Sequence, residues 1–208
     1  MLVLYLVLIG KLQNGFLTGD NMTEILWHGR GGQGAFTAAK LLGASYIGDN
    51  KYSLAFPSFG PERRGAPILA FTKLDNKAIG DRSQIKKADY VVFLDDTLFS
   101  ASALKEIKAG GKIIVNTKKT EKELKEIAGT SEDSFVAFDG DSIAKEFLGI
   151  PVSNTALLAV LAKISGLISK EEIIKAIGLY MNPKLAAKNT PLVEAIFVST
   201  GSTTGGEK

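Results

Sequence analysis

Residues 27–34 have the types and the spacing of an anion-binding loop. Gly29, Gly31 and Gly34 stand in G-x-G-x-x-G spacing, between an apolar run and an Ala-rich helical pattern. A strand that turns into a helix at glycines leaves the first helical N–H groups unpaired. These groups and the positive end of the helix dipole attract anions. The pattern predicts a seat for a phosphate or close contact with a neighbouring chain.

A second segment with unusual composition, residues 56–67, reads Phe-Pro-Ser-Phe-Gly-Pro-Glu-Arg-Arg-Gly-Ala-Pro. In a doubly wound sheet, both this loop and the glycine loop should lie at the carboxyl ends of adjacent strands. Three guanidinium groups would then converge on the backbone seat, which suits a multiply phosphorylated ligand such as coenzyme A. Alternatively, Arg63 and Arg64 pair with Glu62 or with acidic residues of a partner subunit. The candidate binding residues are Gly29, Arg30, Gly31, Gly32, Gln33, Gly34, Arg63 and Arg64.

The glycine loop lacks one requirement of an ordinary NAD site. Such sites have an acidic residue at the end of the second strand, where it holds the ribose hydroxyl groups. Here the second strand ends in Ala-Phe-Pro-Ser, and Asp49 comes before that strand rather than after it. The sequence therefore disfavours ordinary use of NAD.

Other polar residues near the strand ends favour structural roles. His28 could carry a proton, but a lone histidine at a strand end is more often a hydrogen-bonded structural residue. Gln33 is better placed for a ligand, because its amide both donates and accepts. Asp95 and Asp96 follow a central strand, where capping of a helix through Asp96 or Thr97 is favoured over metal binding. No catalytic residue and no metal ligand are assigned.

Composition narrows the classes of function. The chain has 208 residues, a formal charge of +3, no cysteine and one histidine. The mild charge does not indicate a nucleic-acid binder, and no residues are available for a multi-histidine metal site or for ligation of an iron–sulfur cluster. Redox metal chemistry would have to come from a partner chain. The apolar run over residues 1–9 is too short to span a membrane.

The two ends of the chain differ from its middle. We expect residues 1–21 to be an N-terminal extension outside the core, with Met22 as the natural start; an added strand or an interaction arm is the alternative. Residues 22–199 are predicted to form a single domain. Residues 200–208 have the composition of a flexible tail.

Strand patterns alternate with helical patterns along the chain. Strands are predicted at 24–27, 52–56, 67–73, 90–94, 112–116 and 135–138. Helices are predicted after Gly34, over 97–108 with a stop at Gly110-Gly111, and over 120–128, 142–148, 153–165, 169–180 and 184–197. Pro191 is expected to kink or split the last helix. This alternation predicts an α/β fold, a doubly wound and mostly parallel sheet with a helical C-terminal portion.

Together, the glycine loop and the 55–67 segment resemble the gamma subunits of 2-oxoacid:ferredoxin oxidoreductases, nearest their pyruvate and 2-ketoisovalerate type. Further similarities lie at Ala88-Asp89, over residues 110–116, and at the helix start that contains Asn154. The resemblance covers residues 24–197, and the two motifs in this order are quite specific.

This resemblance implies a Rossmann-like subunit of a cytoplasmic complex of anaerobic metabolism. Such a complex oxidatively decarboxylates a 2-oxoacid, with pyruvate expected for this type, forms an acyl-CoA and reduces ferredoxin. The resemblance places thiamine diphosphate, magnesium and iron–sulfur clusters in partner subunits of alpha, beta and delta type. For this chain it implies an assembly surface and contacts to coenzyme A, with no activity alone, no nucleic acid and no membrane. The other hypothesis is a free-standing nucleotide-binding or regulatory domain.

Overall fold

The fold is built on one mixed sheet. The computed structural model describes residues 22–58 and 65–199. The N-terminal extension, the tail over 200–208, and Arg63 and Arg64 lie outside these residues. The described strands form a six-stranded sheet in the order β2-β3-β1-β4-β5-β6. The strands are β1 (Thr23–Arg30), β2 (Tyr52–Pro57), β3 (Pro67–Asp75), β4 (Ala88–Phe93), β5 (Ile107–Asn116) and β6 (Phe135–Phe138).

Helices follow most of the parallel strands, and four of them end the described chain. They are α1 (Ala35–Tyr46), α2 (Glu121–Ala128), α3 (Gly140–Leu148), α4 (Asn154–Ser165), α5 (Lys170–Tyr180) and α6 (Pro183–Val198). Two of the helices begin with a capping box, since Thr120 and Ser169 each exchange hydrogen bonds with a glutamate three residues on. The α/β class and the helical C-terminal portion are confirmed. Among the described residues, no helix is long and apolar enough to cross a membrane.

Alternate residues of β1 point to opposite faces of the sheet, because the side-chain period of a strand is two. Ile25 and Trp27 belong to the core under α1, α4, α5 and α6, while Leu26 belongs to the core under α2. Helix α4 is buried over its first nine residues, which explains its nearly continuous apolar sequence. Both faces of the sheet are therefore covered.

The helix predicted over 97–108 is wrong. Two short 3₁₀ turns, Asp96–Leu98 and Ala101–Lys105, occupy this stretch, and β5 already begins at Ile107. Between the turns, Phe99 is buried and meets Phe93 and Phe135 edge-on, with ring centroids 5.5 and 5.8 Å away. A break at Phe99 lets this ring reach the sheet, so tertiary burial overrides the local helical pattern.

Gly110 and Gly111 do not stop a helix; they lie inside β5. Gly110 has a φ of +78°, and a Cβ on Gly111 would stand 2.6 Å from the carbonyl oxygen of Asp89. The register between β4 and β5 shifts at the same place. The glycines thus permit a bulge and a close strand approach rather than a helix end.

The sheet is mostly parallel, but β3 runs antiparallel to both β1 and β2. The segment after β2 therefore leads into the start of a reversed strand, not into a second crossover. Because β3 is reversed, its first residue, Pro67, pairs with the last residue of β1, Arg30. In the last helix, the expected split at Pro191 is absent, since α6 continues through that proline.

Candidate functional site

The glycine loop joins β1 to α1 at the carboxyl edge of the parallel strands. Gly32 and Gly34 have φ values of +100° and +81°, which other residues rarely adopt. Gly34 is the N-cap of α1 and has no side chain with which to accept the first helical N–H groups. The helix therefore begins at this edge without a side-chain cap, as an anion seat requires.

The second loop meets the glycine loop through its last residues. The amide of Gly31 donates to the carbonyl of Ala66 at 2.9 Å, and the amide of Gly65 donates to the carbonyl of Gly31 at 3.2 Å. The Arg30 side chain donates to the carbonyl of Gly65 at 3.1 Å. The two loops therefore meet at Gly65 and Ala66, but the expectation that they follow adjacent strands was wrong, because the reversed strand β3 lies between β1 and β2. The positions of Arg63 and Arg64 lie outside the described residues.

Asp95, the second residue after β4, organises the space between β1 and β4. Its carboxylate accepts from Arg30 Nε and from Gln33 Nε2, each at 3.0 Å. The guanidinium also donates to Thr97 Oγ1 at 2.7 Å. The chain leaves β1 toward β2 on one side and leaves β4 toward β5 on the other, so this is the switch point where ligands of α/β sheets bind.

The geometry revises two roles that the sequence indicated. Both ends of the Gln33 amide are engaged within the protein, since its Nε2 donates to Asp95 after β4 and its Oε1 accepts from the Arg30 amide at 2.7 Å. Asp95, not Asp96 or Thr97, caps the first 3₁₀ turn by accepting from the Thr97 amide. The expectation of capping through Asp96 or Thr97 was therefore wrong. It missed Asp95 because the partners of Asp95 in the glycine loop lie more than sixty positions away in sequence.

The charges at the switch point nearly balance. Burial favours the protonated form of Asp95, but hydrogen bonds from Thr97 and Gln33 and the charge of Arg30 outweigh it and lower the pKa of this carboxyl. Asp95 is thus an anion that offsets Arg30. Three of the five guanidinium N–H groups of Arg30 donate to Asp95, Thr97 and Gly65. The other two N–H groups have no partner among the described residues.

His28 has the structural role that was favoured for it. Its Nε2 lies 2.8 Å from Glu106 Oε2, and its ring stacks on Phe93 with the centroids 4.3 Å apart. The residue lies at the sheet rather than in the glycine loop. Nothing in this arrangement requires a role in proton transfer.

A polar cleft of about 380 Å³ lies beside the switch point, at the ends of β5 and β6. Asp96 is held there by Lys119 at 2.5 Å and by Thr117 at 2.8 Å. The hydrogen bond from Lys119 is the largest cause of the lowered pKa of Asp96. Within the described part of the chain, no group of three or more metal-ligating side chains is found.

This geometry can be compared with known proteins. Residues 24–197 match the profile of the family described as pyruvate ferredoxin/flavodoxin oxidoreductase. The chain belongs to this family.

Curated relatives match over nearly their whole length. The chain is 42% identical over 180 residues to the pyruvate/ketoisovalerate oxidoreductases common subunit gamma of Thermococcus kodakarensis, covering 86% of this chain and 97% of that protein. It is 41% identical over 177 residues to the pyruvate synthase subunit PorC of Methanocaldococcus jannaschii, covering 85% and 96%. The recognised resemblance to gamma subunits is confirmed.

Solved structures show the same fold. The pyruvate oxidoreductase subunit PORC of Thermotoga maritima superposes with a TM-score of 0.74 at 29% identity, covering 85% of this chain and 95% of that one. A 2-oxoglutarate:ferredoxin oxidoreductase of Magnetococcus marinus, solved with 2-oxoglutarate, coenzyme A and succinyl-CoA bound, superposes with a TM-score of 0.67 at 16% identity. That match covers 86% of this chain and 31% of the longer chain, and it shows the fold alone.

Proposed function

We propose that this chain is the gamma subunit of a complex that oxidises a 2-oxoacid, pyruvate in the first instance, to an acyl-CoA and reduces ferredoxin. The observation that carries the proposal is the match to gamma subunits over 97% of their length at 42% identity. That match also covers 86% of this chain. The functional unit is the segment 22–199, and the complex is cytoplasmic.

The chemistry of bond breaking and electron transfer belongs to other subunits. The whole chain has no cysteine for a cluster and a single histidine, which is engaged with Glu106. The resemblance to gamma subunits assigns thiamine diphosphate, magnesium and iron–sulfur clusters to partners of alpha, beta and delta type, and the lack of cysteine agrees with that division. This chain supplies an assembly surface and excludes water from the neighbouring reaction site.

The coenzyme A contact is proposed at the glycine loop. The residues fit a phosphate, because the uncapped start of α1 and the Arg30 guanidinium, with two N–H groups not engaged by described residues, lie at the same edge. Asp95 opposes a bare anion there, so binding depends on additional positive charge. Arg63 and Arg64 would supply that charge from the loop that ends at Gly65.

The test measures steady-state kinetics of the assembled complex. Arg30→Ala removes a charge-assisted hydrogen bond worth about 1.5–3 kcal/mol, so the KM for coenzyme A should rise roughly 10- to 100-fold. Arg64→Ala should act in the same direction. The KM for the 2-oxoacid should change little, because its pocket lies in other subunits.

Lys40→Ala is the matched control, since Lys40 is an exposed cation farther along α1, about one turn beyond the loop. It should leave both KM values unchanged. Equal effects of Arg30→Ala on both substrates would contradict the coenzyme A contact. A chain that purifies from its source without iron-bearing partners would contradict membership of the complex and favour a free-standing nucleotide-binding domain.

A further inference from the structure

Asn116, the last residue of β5, joins three separate segments at the carboxyl edge of the sheet. Its Nδ2 lies 3.1 Å from the carbonyl oxygen of Leu94, 2.9 Å from Asp141 Oδ1 and 2.9 Å from Ser153 Oγ. Its Oδ1 accepts from the amide of Gly140 at 2.9 Å. One side chain thus connects the end of β4 with the first turns of α3 and α4.

The connection to α4 replaces an ordinary helix cap. Ser153 occupies the N-cap position, but its side chain makes no capping hydrogen bond. Asn116 holds its hydroxyl instead. The start of α4 is therefore held by β5 and not by the side chain of its own N-cap residue. Its first turn can then be positioned against neighbouring segments at the carboxyl edge of the sheet.

The next residue carries the connection to the glycine loop. Asn154 Nδ2 lies 3.4 Å from the carbonyl oxygen of Gly34, the N-cap of α1. A Cβ on Gly34 would stand only 2.4 Å from that nitrogen, so the two starts of α1 and α4 are in direct contact. Asn116, Ser153 and Asn154 are all at least nine-tenths buried, which excludes competing water.

We propose that Asn116 is a positioning residue for the glycine loop, acting through Ser153 and Asn154. This inference rests on the proposed function, because the loop it positions is the surface proposed to contact coenzyme A. The buried amide fixes where α4 begins, and α4 in turn fixes the backbone of Gly34. The loop is thereby held in the geometry that a phosphate seat needs before any ligand arrives.

Two measurements on the full chain and its complex test the proposal. The first is amide hydrogen exchange over residues 31–41, measured in two variants, Asn116→Ala and Ser153→Ala. Ser153→Ala is the smaller change, because it keeps the Asn116 amide and removes only one of its partners. Exchange in this segment should become faster by about tenfold in Asn116→Ala and less in Ser153→Ala. The second is kinetics of the complex, in which KM for coenzyme A should rise while kcat per assembled complex is retained.

Asn189→Ala is the matched control, because Asn189 is a similarly buried asparagine on α6 whose side chain, among the described residues, bonds only the carbonyl of Leu185 in its own helix. It should lower stability without a selective change in residues 31–41 or in KM. A conservative rescue is also available: Asn116→Asp brings two carboxylates together at Asp141, and adding Asp141→Asn should restore part of the protection.

The outcomes separate the two proposals. Unchanged exchange over residues 31–41 in Asn116→Ala, or an equal change in Asn189→Ala, overturns the positioning role whatever the kinetics show. Selectively faster exchange with an unchanged KM for coenzyme A supports the positioning role and overturns the coenzyme A contact instead.

Discussion

Gly34→Ala tests the contact between the glycine loop and α4 most sharply. An alanine at a φ of +81° is strained by roughly 1–2 kcal/mol. Its Cβ would also lie 2.4 Å from Asn154 Nδ2, and overpacking of this kind costs about 1–3 kcal/mol. The free energy of unfolding should therefore fall by about 2–5 kcal/mol in total.

Two further variants separate these contributions. In Asn154→Ala the obstructing amide is gone, so Gly34→Ala in that background should cost only the backbone strain, about 1–2 kcal/mol. Gly32→Ala is the control, because Gly32 also has a positive φ, of +100°, but a Cβ there meets nothing within 4 Å. It too should cost about 1–2 kcal/mol, with or without Asn154.

The assay is urea unfolding of the full chain, followed by the fluorescence of Trp27, which is fully buried and is the single tryptophan. A double-mutant cycle between Gly34→Ala and Asn154→Ala should give a coupling energy of about 1–3 kcal/mol. If Gly34→Ala and Gly32→Ala cost the same, or the coupling is below about 0.5 kcal/mol, the contact does not exist as described.

Three other predictions concern stability, and urea unfolding measures each. Because folding lowers the pKa of Asp95, its contribution to the free energy of unfolding is complete above the ordinary pKa of 3.8 and is lost as the pH falls below that value. Asp95→Asn should therefore flatten the decline of the free energy of unfolding in this acid range. An unchanged decline would contradict the hydrogen-bond network around Asp95. Asp81→Ala should destabilise more than Lys73→Met, because Lys73 is only 1% exposed and Asp81 is its nearest anion; the reverse order would refute this. Thr120→Ala should cost about 0.5–2 kcal/mol through loss of the capping box of α2, and no loss would show that the box contributes nothing.

The sequence correctly predicted elements that are determined by neighbouring residues, such as β4, the helix after Ser169 and the glycine loop. The apolar run at the end of β4 and the helical pattern from Ser169 correctly predicted a strand and a helix, because burial on both faces and helix periodicity are visible within a few residues. The glycine loop was located for the same reason. Its position between β1 and α1 follows from the sequence pattern, which changes from an apolar strand run before the glycines to a helical pattern after Gly34.

The features that the sequence could not predict depend on contacts between residues that are far apart along the chain. The antiparallel direction of β3 follows from its pairing with β1, more than forty positions away along the chain in most of the register. The roles of Asp95 and Asn116 depend on which strands are neighbours in the sheet, and no local pattern encodes that order. The 3₁₀ turns around Phe99 likewise form because the ring is buried against a strand that comes later in the sequence.

The central claim is that the carboxyl edge around the glycine loop lies at a border with other subunits and with coenzyme A. An electron cryomicroscopy map of the complex, purified with coenzyme A bound, tests it directly. If the edge lies at such a border, phosphate density should appear within hydrogen-bond distance of Arg30 or of the first amides of α1, with a neighbouring subunit beside it. A map in which that edge faces open solvent, remote from both the cofactor and the other chains, would contradict it.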